Sequence, residues 1–555
     1  MSTASTRRAR KRQRAAARQP PPQGKGQPRT SFGREDLLPA VETGQEIPEH
    51  VWFVAAGCVL IAAAALRVVA LGLKPMHHDE GVNGFFLMNL LRQGVYHYDP
   101  SNYHGPTLYF LTLPLAYVTD KLGALDNWTL RLVTAAFGVG TVWLVLLLRR
   151  YVGAFGALAG AALVAVSPGC VFYSRYYIHE VPFVFFTLGV VVAALKFYET
   201  GAAPYLLLAS ASAAMLFATK ETAFISVGTL ALAWACAYAW VYFTGGARAR
   251  DRAESGLAKF VPEGSAPLAF LGALALFAFL WVLFYSSFFT HSKGVFWDSF
   301  KAFDLWSKTG MSAFHEKPAH TYVKWLFEEE SPVLLLACLG AAVALFERRK
   351  NRFAVFASAW AFGLLAAYSI IKYKTPWLVI SFVVPMCVAG GYFVQWLARR
   401  GRAWRTAALA VAGVAVAVCL YQTVVLNFLK YDDDSYPYVY SHTRREAVEM
   451  VREIELVGER AGTDEPAVSI AAGEYWPLPW YFRDNPRVGY SGEVYGSYDP
   501  QATPVVIGRK SDDPKLNTYR KLLPLLSGKY TEVGTYALRP GVDLVLFVRS
   551  DLAPK

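Results

Sequence analysis

Charge is scarce in this chain. Only 17% of its 555 residues are Asp, Glu, Lys or Arg, against roughly 25% in soluble domains. Its apolar residues stand in long blocks and do not alternate with polar ones, so membrane spans explain them better than a large soluble core does. The centres of those blocks hold almost no ionisable residue, which argues against a proton-driven transporter. Cysteine is also scarce. All six (Cys58, Cys170, Cys236, Cys338, Cys387, Cys419) lie in or at the ends of the blocks, which argues against a disulfide framework and a cysteine metal site. No P-loop, no dinucleotide-binding glycine turn in context and no serine-nucleophile elbow is present.

The positive charge that exists is concentrated. Residues 1–34 hold ten Lys or Arg and no acid, most of the net +13. We read residues 1–50 as a disordered basic cytoplasmic tail that fixes orientation and touches anionic lipid. A nucleic-acid arm is the competing reading, and we expect no nucleic-acid partner. The basic stretch is too long for a signal peptide, and the span at 51–73 lacks an evident cleavage site.

The expected fold class is a polytopic α-helical membrane protein of about eleven spans. They are 51–73, 129–148, 152–168, 181–198, 204–219, 223–243, 266–289, 333–347, 353–371, 377–398 and 405–426. This threading leaves Arg149-Arg150, the segment 248–259, Arg348-Arg349-Lys350 and Arg399-Arg400-Arg402 on the inner side, as the positive-inside rule requires. Residues 106–119 are too short to cross easily and are expected to lie on the outer face. The transmembrane domain is then 51–426, with outer loops 74–128 and 290–332. Residues 427–555 form a small extracytoplasmic α/β domain, with helices at 443–460 and 514–528 and strands at 468–473, 503–509 and 542–550. The chain should sit in the cytoplasmic (inner) membrane with its N-terminus inside.

Polar chemistry gathers on the outer rim, where nine of the ten histidines fall. Asp79 and Glu80 follow the first span within a turn or two, at a boundary where carboxylates are awkward. A carboxylate there suits a general base that takes a proton from an attacking hydroxyl. The alternative is a pair of helix N-terminal acids favoured by the dipole of a helix near 81–93, which itself would lie at the interface or pack against the spans. In 172–180, Arg175 and His179 are one helical turn apart, and Glu180 is placed to pair with Arg175 or to hold substrate. Lys220 binds a lipid phosphate or snorkels. Lys372, Tyr373 and Lys374 put positive charge at an outer mouth, against the inside rule, and a carrier phosphate is the favoured reason. His104 joins the substrate-binding candidates. A divalent metal stays open, with His77, His78 and Glu180 as candidate ligands, although their spacing matches no fixed motif. Loop 290–332 mixes aromatic and polar residues, which suits a sugar-binding surface or an interfacial segment, and Glu328-Glu329-Glu330 reads as a solvated end. In the tail, Tyr475, Trp476, Trp480 and Tyr481 suit either a sugar platform or packing onto the membrane core.

Four stretches resemble the GT-C glycosyltransferases, the fold class of the protein O-mannosyltransferases and the lipid A aminoarabinose transferases. They are the Asp79-Glu80 pair, YHGPTLYFLTLPLAYVTDKLG (103–123), RLVTAAFGVGTVWLVLLLRRYVG (131–153) and SPGCVFYSRYYIHEVPF (167–183). The outer helix departs from that class by having Gly105-Pro106 where two prolines are usual. YSIIKYKTPWL (368–378), YPYVYSHT (436–443) and EYWPLPWYFRDN (474–485) resemble a bacterial and archaeal family known as flippase-activity-associated proteins. The resemblance implies an inverting transferase that takes a sugar from a polyprenyl-phosphate carrier to a lipid, glycan or protein acceptor, with Asp79 as base. The alternative is a non-enzymatic flippase-associated or lipid-linked-sugar-binding protein.

Overall fold

A computed structural model describes residues 47–102, 104–244, 266–310, 316–347 and 351–554. The basic tail, the inner segment 248–259 and Arg348-Arg349-Lys350 lie outside the described residues. Every expected span overlaps a helix. Among the described residues, Glu49–Val68, Asn127–Leu146, Glu180–Thr200, Ala223–Thr244, Ala266–Tyr285, Arg352–Ile370, Ile380–Ala398 and Arg402–Val424 belong to eight segments long and apolar enough to cross a bilayer. The number rises to ten if each of two bent pairs counts as one span: Ala154–Val166 with Pro168–Ser174 at 56°, and Thr321–Glu329 with Ser331–Phe346 at 111°. Ala203–Phe217 is apolar but has only 15 residues. The chain is an integral membrane protein.

Hydrophobic association between helices is weak in lipid, so close packing through small residues does more of the work. Ile380–Ala398 is buried along nearly its whole length. It lies so near Ser331–Phe346 that a Cβ on Gly340 would sit 2.0 Å from the Ala389 carbonyl oxygen. Helix ends inside the bundle need partners for their carbonyls, and two buried arginines supply them. Arg67 donates to the Val164 and Ala165 oxygens at 3.1 and 3.0 Å, where Ala154–Val166 ends. Arg175 donates to the Val69 and Ala70 oxygens at 2.7 Å each, just past the end of Glu49–Val68. Glu330 is fully buried, not a solvated end. It accepts from the Ser167 hydroxyl at 2.7 Å and the Gly169 N–H at 2.8 Å, stitching the two bent pairs together.

The expected helix at 106–119 is Thr107–Lys121. Phe296, Trp297 and Phe300 are exposed, which suits the interfacial reading of their loop.

The C-terminal unit is a five-stranded sheet in the order β2-β1-β3-β5-β4. Its strands are β1 Val468–Ala471, β2 Val488–Ser491, β3 Val505–Lys510, β4 Tyr530–Arg539 and β5 Val542–Arg549. β2, β1 and β3 run parallel, and β5 is antiparallel to both β3 and β4. Arg445–Ala461 places Ala447, Met450, Val451, Ile454 and Val457 on one stripe at helical spacing and packs it on one face of the sheet. Thr518–Leu526 covers the other face through Leu522 and Leu526. The expected strands at 468–473, 503–509 and 542–550 are present, and β2 and β4 add to them.

This unit is fastened to the end of the bundle from which helix His78–Gln93 starts. Trp480 is buried against that helix and donates to the Asn127 side chain at 2.6 Å, while the Met76 N–H donates to the Tyr481 hydroxyl at 2.8 Å. These two aromatics therefore pack the unit onto the bundle. The helix near 81–93 is clamped between bundle and sheet and does not lie free at an interface.

Candidate active site between the helix bundle and the C-terminal sheet

The two units enclose a cavity of about 730 Å³. The bundle supplies His77, His78, Asp79, His104, Glu180, Lys220 and the turn 371–378, and the sheet supplies Glu474, Arg509 and the hairpin Arg539-Pro540-Gly541-Val542. Its size suits a small polar head group.

The run His77-His78-Asp79-Glu80 starts its helix by reciprocal capping. The His77 N–H donates to Glu80 Oε2 at 2.8 Å, and the Asp79 N–H donates to His77 Nδ1 at 3.1 Å. His77 Nε2 lies 3.1 Å from the Tyr440 carbonyl oxygen. Nδ1 accepts and Nε2 donates, so the tautomer is fixed. Burial pushes both His77 and His78 down to about 4, and both are neutral at physiological pH.

Capping also separates the two neighbouring acids. Glu80 turns away from the cavity into a fully buried ion pair with Arg131, with Nε–Oε1 and Nη2–Oε2 both 2.7 Å. The Tyr177 N–H donates to Oε1 at 2.8 Å as well. Glu80, expected to be catalytic, is thus a positioning residue: its oxygens are occupied by the helix start and by Arg131. Asp79 faces the cavity, and among the described residues no hydrogen bond or ion pair holds its carboxylate. Burial raises its pKa above the ordinary value; His78 pulls it down, and Glu180 pushes it further up.

Lys220 reaches the cavity through a backbone contact. His104 and Lys220 form an isolated antiparallel bridge, and the Gly105 and Thr107 N–H groups donate to the Thr219 and Ala218 oxygens at 3.1 and 3.2 Å. A Cβ at Gly105 would lie 2.0 Å from the Ala218 oxygen, which explains glycine at the position where the sequence departs from the resembling class. Lys220 then pairs with Glu180 at 2.5 Å. Glu180 pairs with Lys220 and not, as expected, with Arg175. Arg175 is no part of the cavity wall; it is committed to the end of the first span.

His179 is buried beneath His104, with ring centroids 4.6 Å apart, and its Nε2 lies 3.2 Å from the Gly105 oxygen. It supports His104 and does not line the cavity. Beside them Glu221 accepts from the Tyr98 hydroxyl at 3.0 Å, and burial pushes its carboxyl up to about 8.

The lysines of 372–374 are also not on the wall. Lys372 is exposed and pairs with Glu316 at 3.3 Å. Lys374 is buried and donates to the Ile371 oxygen at 2.5 Å. Tyr373, Thr375 and Trp377 line the cavity in their place. Among the described residues, the Lys and Arg side chains that face it are Lys220, Arg509 and Arg539.

The metal candidates do not form a ligand set. Both ring nitrogens of His77 are engaged, His78 Nδ1 lies 3.1 Å from Arg539 Nη1, and Glu180 holds Lys220. Among the described residues no group of three His, Cys, Asp or Glu is arranged to hold a metal ion.

Sequence reasoning missed Asn83, Glu474, Arg509 and Arg539. Asn83 accepts from the Tyr109 hydroxyl at 3.0 Å and donates to the Tyr177 oxygen at 2.9 Å. A polar residue among Gly81, Gly84 and Leu87 on the helix's buried face was its available signal. The other three sit on separate strands and loops, and no local pattern joins them.

A family model described as Dolichyl-phosphate-mannose-protein mannosyltransferase matches residues 108–258. No curated protein sequence matches the chain significantly. Solved structures match over nearly its full length. ArnT from Cupriavidus metallidurans, bound to undecaprenyl phosphate, is 14% identical with a TM-score of 0.57, covering 92% of this chain and 100% of its own. The oligosaccharyltransferase of Archaeoglobus fulgidus, in complex with Zn and sulfate, is 12% identical with a TM-score of 0.53, covering 87% of this chain and 72% of its own. A structure of that enzyme tethered to an acceptor peptide is 13% identical with a TM-score of 0.50, covering 91% and 75%. The bundle capped by a small C-terminal unit is therefore the GT-C fold that these membrane glycosyltransferases share.

Proposed function

We propose that this chain is an inverting glycosyltransferase that moves a sugar from a polyprenyl-phosphate carrier to an acceptor on the outer face of the cytoplasmic membrane, with the N-terminus inside and the sheet outside. The observation that carries this reading is Asp79: a carboxylate on the cavity wall that no hydrogen bond or ion pair holds among the described residues, at the start of a rigidly capped helix, beside the Lys220–Glu180 pair. Its raised pKa suits a base that must both ionise and accept a proton. The GT-C fold and the undecaprenyl phosphate bound by ArnT support the class of donor.

In the proposed step an Asp79 carboxylate oxygen takes the proton of the acceptor O–H. The acceptor oxygen forms a bond to the anomeric carbon from the face opposite the phosphate. The anomeric C–O(phosphate) bond breaks, and its electron pair leaves with the polyprenyl phosphate. The cavity's cations, Lys220 among them, offset the charge that develops there. An adjoining recess of about 990 Å³ shares Tyr440, Ser441 and Pro540 with the cavity and offers an acceptor its approach.

The test uses the purified full chain in lipid, a panel of polyprenyl-phosphate monosaccharides and candidate acceptors. The expected result is transfer from one donor, with the anomeric configuration inverted. Retained configuration, or no reaction with a donor that binds, would overturn the reading.

A further inference from the structure

Glu474, in the loop after β1, carries two arginines from different strands on its two oxygens. Arg509 Nη1 lies 3.1 Å from Oε1, and Arg539 contacts Oε2. All three residues line the cavity. Two guanidiniums share one carboxylate, which leaves a unit of positive charge unbalanced within the cluster. Arg509 is 6% exposed, and its Nε is buried with no hydrogen-bond partner among the described residues. Arg539 is fixed from behind: its Nη1 donates to the Trp476 oxygen at 3.2 Å and lies 3.1 Å from His78 Nδ1, next in sequence to Asp79.

A cluster built only for stability would pair charges evenly and keep them from the site. Here one buried fork, Arg509, and one mostly buried fork, Arg539, converge on a two-oxygen anion whose side chain is 41% exposed. This is the geometry in which arginines hold two non-bridging oxygens of a phosphate. Burial raises the pKa of Glu474, but Arg539 and then Arg509 outweigh it and leave the carboxyl below its usual value. Glu474 is ionised at neutral pH, in the form that imitates such a ligand.

We propose that Arg509 and Arg539 form a phosphate-binding site on the sheet side of the cavity, which Glu474 occupies in the free protein and a substrate phosphate takes over by displacing it. The inference rests on the reading of the cavity as the place where a phosphate carrier reacts. It moves phosphate recognition from the lysines of 372–374 to the C-terminal unit. The phosphate is that of the carrier lipid or one borne by the acceptor.

Binding, not turnover, tests this. The full chain in nanodiscs of neutral lipid is titrated with a short-chain polyprenyl monophosphate, with inorganic phosphate and, as control, with the uncharged polyprenol. Arg509→Gln and Arg539→Gln are expected to weaken phosphate binding about tenfold or more. Glu474→Gln removes the internal competitor and is expected to tighten it about three- to tenfold, a gain that a misfolded variant does not give. Polyprenol binding stays unchanged. Effects on the polyprenyl phosphate assign the site to the carrier; effects on inorganic phosphate alone assign it to the acceptor. Unchanged affinity for both phosphates in the arginine variants, or no tightening in Glu474→Gln, overturns the proposal. Sugar transfer is scored separately. Transfer with unaltered phosphate binding sinks this inference alone, whereas altered binding without transfer sinks the enzymatic reading.

Discussion

The two walls of the cavity are built on different principles. The bundle wall is over-determined. His77 is held at both ring nitrogens, Glu80 is locked to Arg131, and Lys220 is set by a backbone bridge that only glycine permits. The Asp79 carboxylate stands apart: among the described residues no hydrogen bond or ion pair holds it. The sheet wall is the reverse: its charged groups are tied to each other across a hairpin tip and a loop, through a carboxylate with 41% of its side chain exposed. The difference teaches where each task belongs. A base must be held in place with its reacting atom free, whereas a phosphate site must give up one partner for another.

Breaking the bundle wall should have the largest effects on folding. Glu80→Ala leaves Arg131 as an unpaired buried charge, and Arg131→Met does the same to Glu80. Each is expected to destabilise the protein by about 3–5 kcal/mol, read as lost folded yield and a lowered unfolding midpoint in detergent. The same substitution at Asp79 should leave stability nearly unchanged. If Glu80→Ala folds as well as Asp79→Ala, the division of labour between the two acids is wrong.

Gly105→Ala comes next. The added methyl meets the Ala218 carbonyl, so the 104–107 and 218–220 segments must part. We expect a loss of about 1–3 kcal/mol together with a fall in transfer, because the same backbone contact sets Lys220. Full activity in Gly105→Ala would show that Lys220 is placed by other means.

A further effect concerns pH. Glu221 is raised to about 8 from an ordinary 4.5, so the native state holds a proton that the unfolded chain has lost. Its contribution to stability is complete below about pH 4.5 and is lost as pH rises through about 8. The unfolding midpoint should therefore fall across that window, and Glu221→Gln should flatten the slope. An unchanged slope would show that Glu221 is ionised in the fold.

Much of this molecule can be read without a structure. Blocks of apolar residues announce the helices because a lipid solvent demands continuous runs. Asp79 stands out as a carboxylate beside a span. What stays hidden are the pairings that act at a distance. Arg175 and Glu180 lie close in sequence with opposite charge, yet each finds a partner elsewhere: the carbonyls past the first span and Lys220. Arg131 opens an apolar run, where a charge must be compensated, and that was the available signal for a buried partner such as Glu80. Lys372 and Lys374 drew attention as charges at an expected outer mouth, but one pairs with Glu316 and the other with its own turn. β4, YTEVGTYALR, carries the Thr, Tyr and Val content of a strand. As an edge strand with few buried positions, it has less apolar character than β5.

The central claim is that Asp79 is the base. The most direct measurement is the release and transfer of radiolabelled sugar from polyprenyl-phosphate monosaccharides by wild type beside Asp79→Asn, both purified in lipid and matched in unfolding midpoint. The account predicts turnover by wild type, with an acid limb lying above the ordinary aspartate pKa, and a loss of about 10²–10⁴-fold in Asp79→Asn. A folded Asp79→Asn protein that turns over like wild type would contradict it.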